Sequence, residues 1–346
     1  MMDPNDEVCI ICKQWGVGYQ GSKNKHVKWL FDYLPAGKRF VDLFGGGFSA
    51  SHYAIETRRY PIVIYSDCDP FIVKLIQKCA CGDYDIGRFE PYWVDKETFD
   101  RIKNDLNADQ YIRYAFSYGN KGSSYIGSDK VQYYNIWKDV FEFCLTMKLS
   151  DLIKSLCNDD FDAHVCLSMN YNQRYSYLYS RLKFSGKAGP ITDIRRYIKA
   201  GRAARKGVII KRDYTDYKYV NGDVVYCDIP YVNTKCEYNN GFDYNAFYDF
   251  ARETPCFISE YQMPDDFVCI AEKHCITTMN DNFRSKRVER LFASPAAIKE
   301  GLYDAHNQLC FDWGRDNTNN TKRDIINDDI SEECGYRADI KGFGAV

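Results

Sequence analysis

A strand that runs directly into three consecutive glycines constrains the fold of this chain more than any other feature. Residues 40–49 read FVDLFGGGFS, which predicts a short apolar strand, a glycine turn and a helix that continues to about Thr57. A second apolar strand, Ile62–Tyr65, leads into Asp67, which lies 20 residues after the last of these glycines. A strand, a turn, a helix, a strand and an acid in this order predict the opening of a doubly wound parallel sheet.

The glycine turn also indicates a ligand site. Glycines let backbone N–H groups and a helix N-terminus approach a ligand closely, and an acid at the end of the next strand can bind ribose hydroxyls. Taken alone, the turn and Asp67 fit a nucleotide-like cofactor about as well as they fit a plain strand–helix connection.

A second motif, VVYCDIPYV at residues 224–232, places an acid and a Pro-Tyr pair at the end of an apolar strand. The pattern suits methylation of an exocyclic amine, which is a poor nucleophile because its lone pair is shared with the ring. The carboxylate of Asp228 and the carbonyl of Ile229 would accept the two N–H groups, and Tyr231 would stack on the base. The alternative interpretation is a strand followed by a proline turn, with Asp228 as a cap.

Strand patterns occur in two separate parts of the chain. After the second motif they recur at residues 256–259, 274–278 and 288–293, whereas the residues between the two halves look helical or irregular. We therefore predict a discontinuous domain built on the sheet at residues 1–96 and 216–311, an insertion at residues 97–215 and a polar C-terminal tail at residues 312–346.

Together, these motifs resemble the Dam-like DNA adenine-N6 methyltransferases, the D12 class. That family opens with a W-A-G-G-K-like motif, which corresponds here to Tyr19-Gln20-Gly21-Ser22-Lys23. Its D-P-P-Y motif, which follows a target-recognition insertion, corresponds to Asp228-Ile229-Pro230-Tyr231. The resemblance covers residues 15–80 and 220–295 in order and spacing. It implies an α/β, doubly wound, Rossmann-like methyltransferase sheet with an inserted, partly helical target-recognition subdomain.

The resemblance also implies a cofactor and a set of site residues. The cofactor is S-adenosylmethionine, and the acceptor is adenine N6 in DNA, with the base flipped out of the duplex. The residues that correspond to the family's catalytic motif are Asp228, Ile229, Pro230 and Tyr231. The residues that correspond to its cofactor-binding positions are Tyr19, Lys23, Asp42, Phe44, Gly45, Gly46, Gly47, Asp67 and Asp228.

Three positions depart from the family pattern. Tyr19 stands in place of Trp, Phe48 stands where a glycine is usual, and Ile229 replaces the first Pro of D-P-P-Y. Tyr19 keeps an aromatic face. Ile229 keeps the backbone carbonyl, which is what the reaction would take from this residue.

Two segments of the insertion predict DNA contacts. Tyr118-Gly119-Asn120-Lys121-Gly122 is the counterpart of a family segment that touches DNA. Nine cations within residues 187–212 favour phosphate binding, although such a run is also typical of a solvated surface. The predicted DNA-binding residues are Tyr118, Asn120, Lys121, Arg195, Arg196, Lys199, Arg202, Arg205 and Lys206.

Composition limits the remaining classes. The 346 residues carry a formal net charge of −2, so any contact with DNA needs a local basic patch. With 15 cysteines and no export or membrane-span pattern, we expect reduced thiols in a cytoplasmic protein. We expect double-stranded DNA as the partner, no membrane partner, no metal, and a monomer or weak dimer.

Three alternatives stay open on the sequence. One is methylation of cytosine N4 or of RNA, although cytosine enzymes usually carry Ser at the position of Asp228. Another is a dinucleotide-dependent oxidoreductase, which would explain the glycine turn but neither residues 228–231 nor the basic run. The last is a catalytically inactive DNA-binding relative, which a methyl-transfer assay would distinguish.

Overall fold

The computed structural model describes most of the predicted catalytic domain. The described residues are 14–85, 94–126, 194–232, 241–280 and 283–303, with short stretches at 12, 88, 140, 143–144, 168–169, 173–174 and 177–178. Within them, the helices are α1 (Val27–Tyr33), α2 (Ser49–Thr57), α3 (Pro70–Cys81), α4 (Lys96–Ile102), α5 (Gln110–Ala115), α6 (Ile194–Ala204), α7 (Tyr244–Glu253) and α8 (Pro295–Lys299). The strands are β1 (Arg39–Asp42), β2 (Ile62–Asp67), β3 (Val208–Lys211), β4 (Asp223–Cys227), β5 (Cys256–Glu260), β6 (Val268–Asn280) and β7 (Phe283–Ala293).

One mixed sheet organises these elements, with its seven strands in the order β3-β2-β1-β4-β5-β7-β6. The first five strands in this order are parallel, whereas β7 runs antiparallel to both β5 and β6. Strand β1 pairs with β2 on one side and with β4 on the other, so the strand order reverses beside β1. Doubly wound sheets bind ligands at such a reversal, outside the carboxyl ends of the strands. The predicted Rossmann-like fold class is confirmed.

Strands β4 and β5 are mostly apolar because both faces of the sheet are covered there. Every residue of β4 (DVVYC) and β5 (CFISE) is buried, as expected for parallel strands covered on both faces. Asp223, the buried acid that begins β4, is paired: the Arg39 guanidinium donates to it at 2.5 Å, and so does the Tyr217 hydroxyl at 2.5 Å.

Phe48 ends the glycine turn in a conformation that favours glycine. It precedes α2 with φ 69° and ψ 14°, in the left-handed region, and its ring is fully buried. That conformation costs a non-glycine residue about 1–2 kcal/mol, whereas truncating a buried Phe typically costs about 3–5 kcal/mol. The ring packs edge-to-face on Tyr65, with centroids 5.5 Å apart. This packing explains how Phe is accommodated at the position.

The structure revises one boundary of the predicted insertion. Strand β3 pairs in parallel with β2. Helix α6 approaches α3 so closely that a Cβ on Gly201 would lie 2.3 Å from the carbonyl oxygen of Cys79. Residues 194–211 therefore belong to the sheet and its helical layer, although they fall inside the predicted insertion. A separate recognition unit stays a prediction for the rest of that range, of which residues 127–193 lie almost wholly outside the described residues.

The described part of the chain contains no helix with the length and apolar character needed to cross a membrane. The same residues contain no group of three or more side chains that could hold a metal ion. The predicted polar tail, residues 312–346, lies outside the part that the structure describes.

Candidate active site

Four acidic side chains lie at the carboxyl ends of four neighbouring parallel strands. Asp42 and Asp67 are the last residues of β1 and β2, Asp228 directly follows β4, and Glu260 ends β5. Because these strands are adjacent in the sheet, the four acids lie along one edge. Three of them were predicted as site residues, and Glu260 was not.

Asp67 holds the glycine turn in place. One of its carboxylate oxygens accepts the N–H of Gly46 at 2.8 Å, and the other accepts the N–H of Asp69 at 2.9 Å. The Tyr65 hydroxyl donates to the Gly46 carbonyl at 2.9 Å. A Cβ on Gly45 would lie 2.2 Å from the Tyr65 ring, so this position requires glycine. The structure therefore brings the turn and Asp67 together.

The N-terminal loop lies over the same turn. The hydroxyls of Ser22 and Ser49 are 2.7 Å apart, which ties the loop to the start of α2. Tyr19 packs on the glycines, since a Cβ on Gly47 would lie 2.5 Å from the Cβ of Tyr19. These contacts fix the position of Lys23, the residue after Ser22.

Lys23 lies at the centre of a buried cluster that joins three distant parts of the sequence. Its ammonium is 2.7 Å from Oδ1 of Asp228 and 3.1 Å from Oε1 of Glu289. It also donates to the Tyr231 hydroxyl at 2.5 Å, and that hydroxyl donates to Glu289. The side chains of Lys23, Asp228 and Glu289 are only 10%, 18% and 9% exposed, so their charges interact with little screening by water.

The four acids at the carboxyl edge of the sheet have raised pKa values. Burial raises the pKa of Asp42 and of Glu260 to about 7. Burial also raises the pKa of Asp67 and of Asp228 to about 6, although the charge of Lys23 opposes this effect at Asp228. A ligand that carries positive charge or donates hydrogen bonds would stabilise the ionised forms.

Asp42 has one unsatisfied oxygen. Its Oδ2 accepts the Ser51 hydroxyl at 2.8 Å, whereas its Oδ1 is buried and has no hydrogen-bond partner among the described residues. Buried carboxylate oxygens without a donor are rare and costly. The atom therefore marks a place where a ligand could donate a hydrogen bond or bring positive charge.

The residues of the 228–231 motif lie in two environments. Ile229 is buried in an apolar cluster with Leu43 and Val225, so its side chain belongs to the core. The Tyr231 ring faces Tyr261 edge-to-face, with centroids 4.5 Å apart. Pro230 lies between them and is half-buried.

Phe44 differs from the other predicted cofactor residues in its surroundings. Its ring stacks on Tyr214 with centroids 5.4 Å apart and an interplanar angle of 28°. It also meets the rings of Phe242 and Phe247 edge-on. The side chain is thus part of an aromatic cluster that packs against the buried residues around Leu43 and Ile229.

The predicted DNA-contact segment forms an exposed turn. Tyr118 is 61% exposed, and the two residues after it are left-handed, with φ 65° at Gly119 and 55° at Asn120. The Asn120 amide donates to the Tyr114 carbonyl at 2.9 Å, which anchors the turn, and Lys121 beside it is half-buried. An exposed aromatic ring of this kind is suited to stacking on bases.

Much of the basic run is used inside the protein. Arg196 donates to the Val17 carbonyl at 2.7 Å, and Lys199 donates to the Cys12 carbonyl at 2.8 Å. Lys199 is only 6% exposed, and its ammonium lies 4.0 Å from the centroid of the Trp15 ring. The position of Lys199 therefore contradicts the predicted phosphate contact, because its charge is already buried and paired.

The other cations of α6 and the residues after it are more accessible. Arg205 and Lys206 are exposed, and they form surface ion pairs with Asp85 at 2.6 Å and Glu56 at 3.7 Å. Arg195 and Arg202 are half-buried. Surface pairs are weak, so these cations can exchange their partners for phosphates at little cost.

Sequence reasoning missed two acids of the site. Glu260 accepts the N–H of Val232 at 3.1 Å and that of Tyr261 at 2.6 Å, which ties the end of β5 to the residue after the motif. Glu289 lies on β7 in the Lys23 cluster. A signal existed, since each acid interrupts an apolar strand pattern, CFISE or VERLFA, and a buried charge needs a partner.

The doubly wound sheet, its glycine turn and the Asp-X-Pro-Tyr motif at the carboxyl edge together form the arrangement of a Rossmann-like amine methyltransferase. Residues 19–254 match the D12 class N6 adenine-specific DNA methyltransferases, and the chain belongs to this family. The Retron Ec67 DNA adenine methylase of Escherichia coli is 25% identical over 235 residues, which cover 67% of this chain and 69% of that protein. The predicted family and enzyme class are confirmed, and the oxidoreductase alternative has no support.

Proposed function

We propose that this protein transfers the methyl group of S-adenosylmethionine to N6 of adenine in double-stranded DNA, and that residues 228–231 orient the acceptor amine. One observation carries the proposal. Asp228 follows the strand at the centre of the carboxyl edge, and Asp42 of the neighbouring strand lies next to it with an unsatisfied buried oxygen. The acceptor and the methyl donor can therefore meet beside Asp228.

The charge of the carboxyl edge fits S-adenosylmethionine. Burial raises the pKa of Asp42, Asp67 and Asp228, so positive charge or further hydrogen-bond donors from a ligand would stabilise their ionised forms. The cofactor offers an ammonium, a positively charged sulfur and two ribose hydroxyls. In this proposal Asp67 accepts the ribose hydroxyls, and Tyr19 and the glycine turn form the adjoining wall. When bound, the cofactor supplies an electrophilic methyl group.

The chain's contribution to the chemical step is orientation. The Asp228 carboxylate and the Ile229 carbonyl accept the two N–H groups of the amine, which directs the nitrogen lone pair toward the methyl group. Tyr231 stacks on the flipped adenine. As the new C–N bond forms, the nitrogen becomes positively charged and loses one proton. Asp228, with a pKa of about 6, accepts that proton and releases it to water.

DNA approaches the same edge of the sheet in this proposal. Tyr118 and Lys121, on the turn after α5, contact the strand near the flipped base. The exposed cations near the end of α6 contact phosphates, and residues 97–193 contain the recognition unit. The proposed phosphate contacts are the exposed Arg205 and Lys206 and the half-buried Arg195 and Arg202.

Cofactor binding tests the proposal without DNA. Asp67→Ala should weaken S-adenosylmethionine binding by about 1–3 kcal/mol, the scale of losing charge-assisted hydrogen bonds. Titration calorimetry measures this, with NAD as the competing cofactor and Asp83→Ala as the matched control, because Asp83 is an exposed acid just after α3. Binding of NAD without binding of S-adenosylmethionine would exclude the methyltransferase reaction. An unchanged affinity for S-adenosylmethionine in Asp67→Ala would show that Asp67 only stabilises the glycine turn.

A further inference from the structure

Glu289 is a buried acid that precedes two apolar residues of the same strand face. It lies on β7, outside the parallel part of the sheet, and Leu291 and Ala293 follow it at every second residue. Both are fully buried in the core, and alternate residues of a strand share a face. A carboxylate in that position is unfavourable unless a positive group meets it, and Lys23 does so at 3.1 Å.

We propose that Glu289 is a positioning residue for the methyl transfer described above. It fixes the direction of the Tyr231 ring, and it holds Lys23 away from exclusive pairing with Asp228. The inference rests on the proposed function, because it concerns how that site is held ready for the acceptor base.

The first part of this role is carried by the Tyr231 hydroxyl. The hydroxyl accepts a hydrogen bond from Lys23 at 2.5 Å and donates one to Glu289. Burial raises the pKa of Tyr231 well above its ordinary value, so the phenol keeps its proton and remains a donor. With its hydroxyl held at two points and its ring packed against Tyr261, the aromatic face has one orientation in which to receive a base.

The second part concerns Lys23. Its ammonium is shared between two carboxylates, at 2.7 Å to Asp228 and 3.1 Å to Glu289. Without the charge of Glu289, the Lys23 ammonium would form its ion pair with Asp228 alone. That carboxylate then becomes a weaker acceptor for the amine of the substrate. Glu289 therefore preserves the acceptor capacity of Asp228 at a distance from the reacting atoms.

The pH dependence of methyl transfer reports this arrangement. The charge of Glu289 raises the pKa of Asp228, and the charge of Lys23 lowers it. Removing the negative charge of Glu289 therefore lowers the pKa of Asp228 and moves the acidic limb of the rate profile to lower pH. The titratable and charged groups that interact with Glu289 or pair with it across the hairpin are Lys23, His26, Tyr226, Asp228, Tyr231 and Lys273. Asp42 and Glu260 also interact with Asp228.

The experiment compares wild type, Glu289→Gln, Glu289→Ala and Tyr231→Phe in single-turnover methylation of duplex DNA from pH 5 to pH 8. Glu272→Gln is the control, because Glu272 is a half-exposed acid on the neighbouring β6 whose ion pair is with Arg290. We expect Glu289→Gln to react about tenfold more slowly, with unchanged affinity for S-adenosylmethionine and an acidic limb at lower pH. Adding Tyr231→Phe to Glu289→Ala should cause little further loss, because both changes remove the hydrogen bond from the Tyr231 hydroxyl to residue 289.

A titration by NMR gives a second readout that needs no turnover. In protein labelled with ¹³C at aspartate carboxyls, the Asp228 signal is assigned by its absence from Asp228→Asn. We expect the pKa of Asp228 to fall in Glu289→Gln and to stay in place in Glu272→Gln. An active wild type with the same rates and pH profile in Glu289→Gln and Glu289→Ala, and an unchanged Asp228 titration, would overturn the positioning role. A wild type that methylates no DNA, while the Asp228 titration shifts as expected, would instead count against the proposed function alone.

Discussion

Ile229 contributes its backbone to the proposed chemistry and its side chain to the core. The proposed reaction uses the carbonyl, which Ile and Pro both have, while the side chain is buried beside Leu43 and Val225. Pro230 already biases residue 229 toward the extended region, so the fixed φ of a proline at 229 adds little. Catalysis and stability therefore make different demands on this position.

Ile229→Pro should separate these demands. We expect the rate of methyl transfer to change by less than about tenfold, or 1.4 kcal/mol. Because the smaller ring leaves part of the buried Ile volume empty, the free energy of unfolding should fall by about 1–3 kcal/mol. Single-turnover kinetics and urea denaturation measure the two effects. An inactive wild type that Ile229→Pro makes active would show that the proline ring itself is needed.

A site residue could be predicted from the sequence when nearby residues in the chain determine its position. Asp67 follows an apolar strand 20 residues after the glycine turn, and Asp228 follows the apolar strand of its own motif. Both could therefore be predicted to lie at the carboxyl edge of the sheet. The contact between Lys23 and Glu289 could not. It requires the pairing of β7 with β5 and β6, and the register of that pairing is set by packing across the whole sheet.

At the scale of elements, α6 shows that the number of basic residues in a segment does not predict which of them can contact DNA. Residues 196, 199, 200 and 203 lie on one face of a helix, and Ala200 and Ala203 are fully buried. Arg196 and Lys199 share that inward face and bind backbone carbonyls. The helical period, applied to the apolar residues, would have separated these inward cations from the outward ones.

Two lysines of this segment should therefore respond differently to truncation. Lys199→Ala removes a buried hydrogen bond and a cation–π contact, and it should lower the free energy of unfolding by about 1–3 kcal/mol. Lys206→Ala, at an exposed site, should change it by less than about 0.5 kcal/mol. Urea denaturation of the two variants makes the comparison. A Lys199→Ala protein as stable as wild type but weaker in DNA binding would restore the phosphate role.

At the scale of the whole molecule, the sheet edge at which we propose that ligands bind also lowers the stability of the fold. Burial raises the pKa of Asp42 to about 7, so between its ordinary pKa and this value the folded state binds more protons than the unfolded state. Stability from this group is therefore lost as the pH rises through that window. If the proposed ligands bind here, the buried Asp42 favours binding at some cost to the stability of the ligand-free protein.

Asp42→Asn should remove that cost. In the absence of ligand, we expect its free energy of unfolding to exceed that of wild type by about 1–3 kcal/mol at pH 8 and to match it near pH 4. Asp83→Asn, at an exposed acid, is the control and should be neutral at both pH values. Urea denaturation at the two pH values makes the measurement. An Asp42→Asn protein less stable than wild type at pH 8 would show that the ionised carboxylate is stabilised in the fold.

The general architecture could be read from the sequence because its first half is local: a strand, three glycines, a helix and a second strand within residues 39–67. The antiparallel pair β6 and β7 and the edge strand β3 could not be placed in the same way. The edge strand is four residues long and lies between basic residues, which masked its apolar pattern. Its pairing with β2 depends on the packing of α6 against α3.

The most direct test of the central claim is single-turnover methylation of unmodified duplex DNA with S-adenosylmethionine, followed by mass spectrometry of the nucleosides. Wild type should form N6-methyladenine, and Asp228→Ala should be slower by on the order of a hundredfold or more, with DNA affinity unchanged. Methyl transfer to cytosine, no transfer by wild type on any DNA, or equal rates in wild type and Asp228→Ala would contradict the claim that Asp228 orients an adenine amine for methylation.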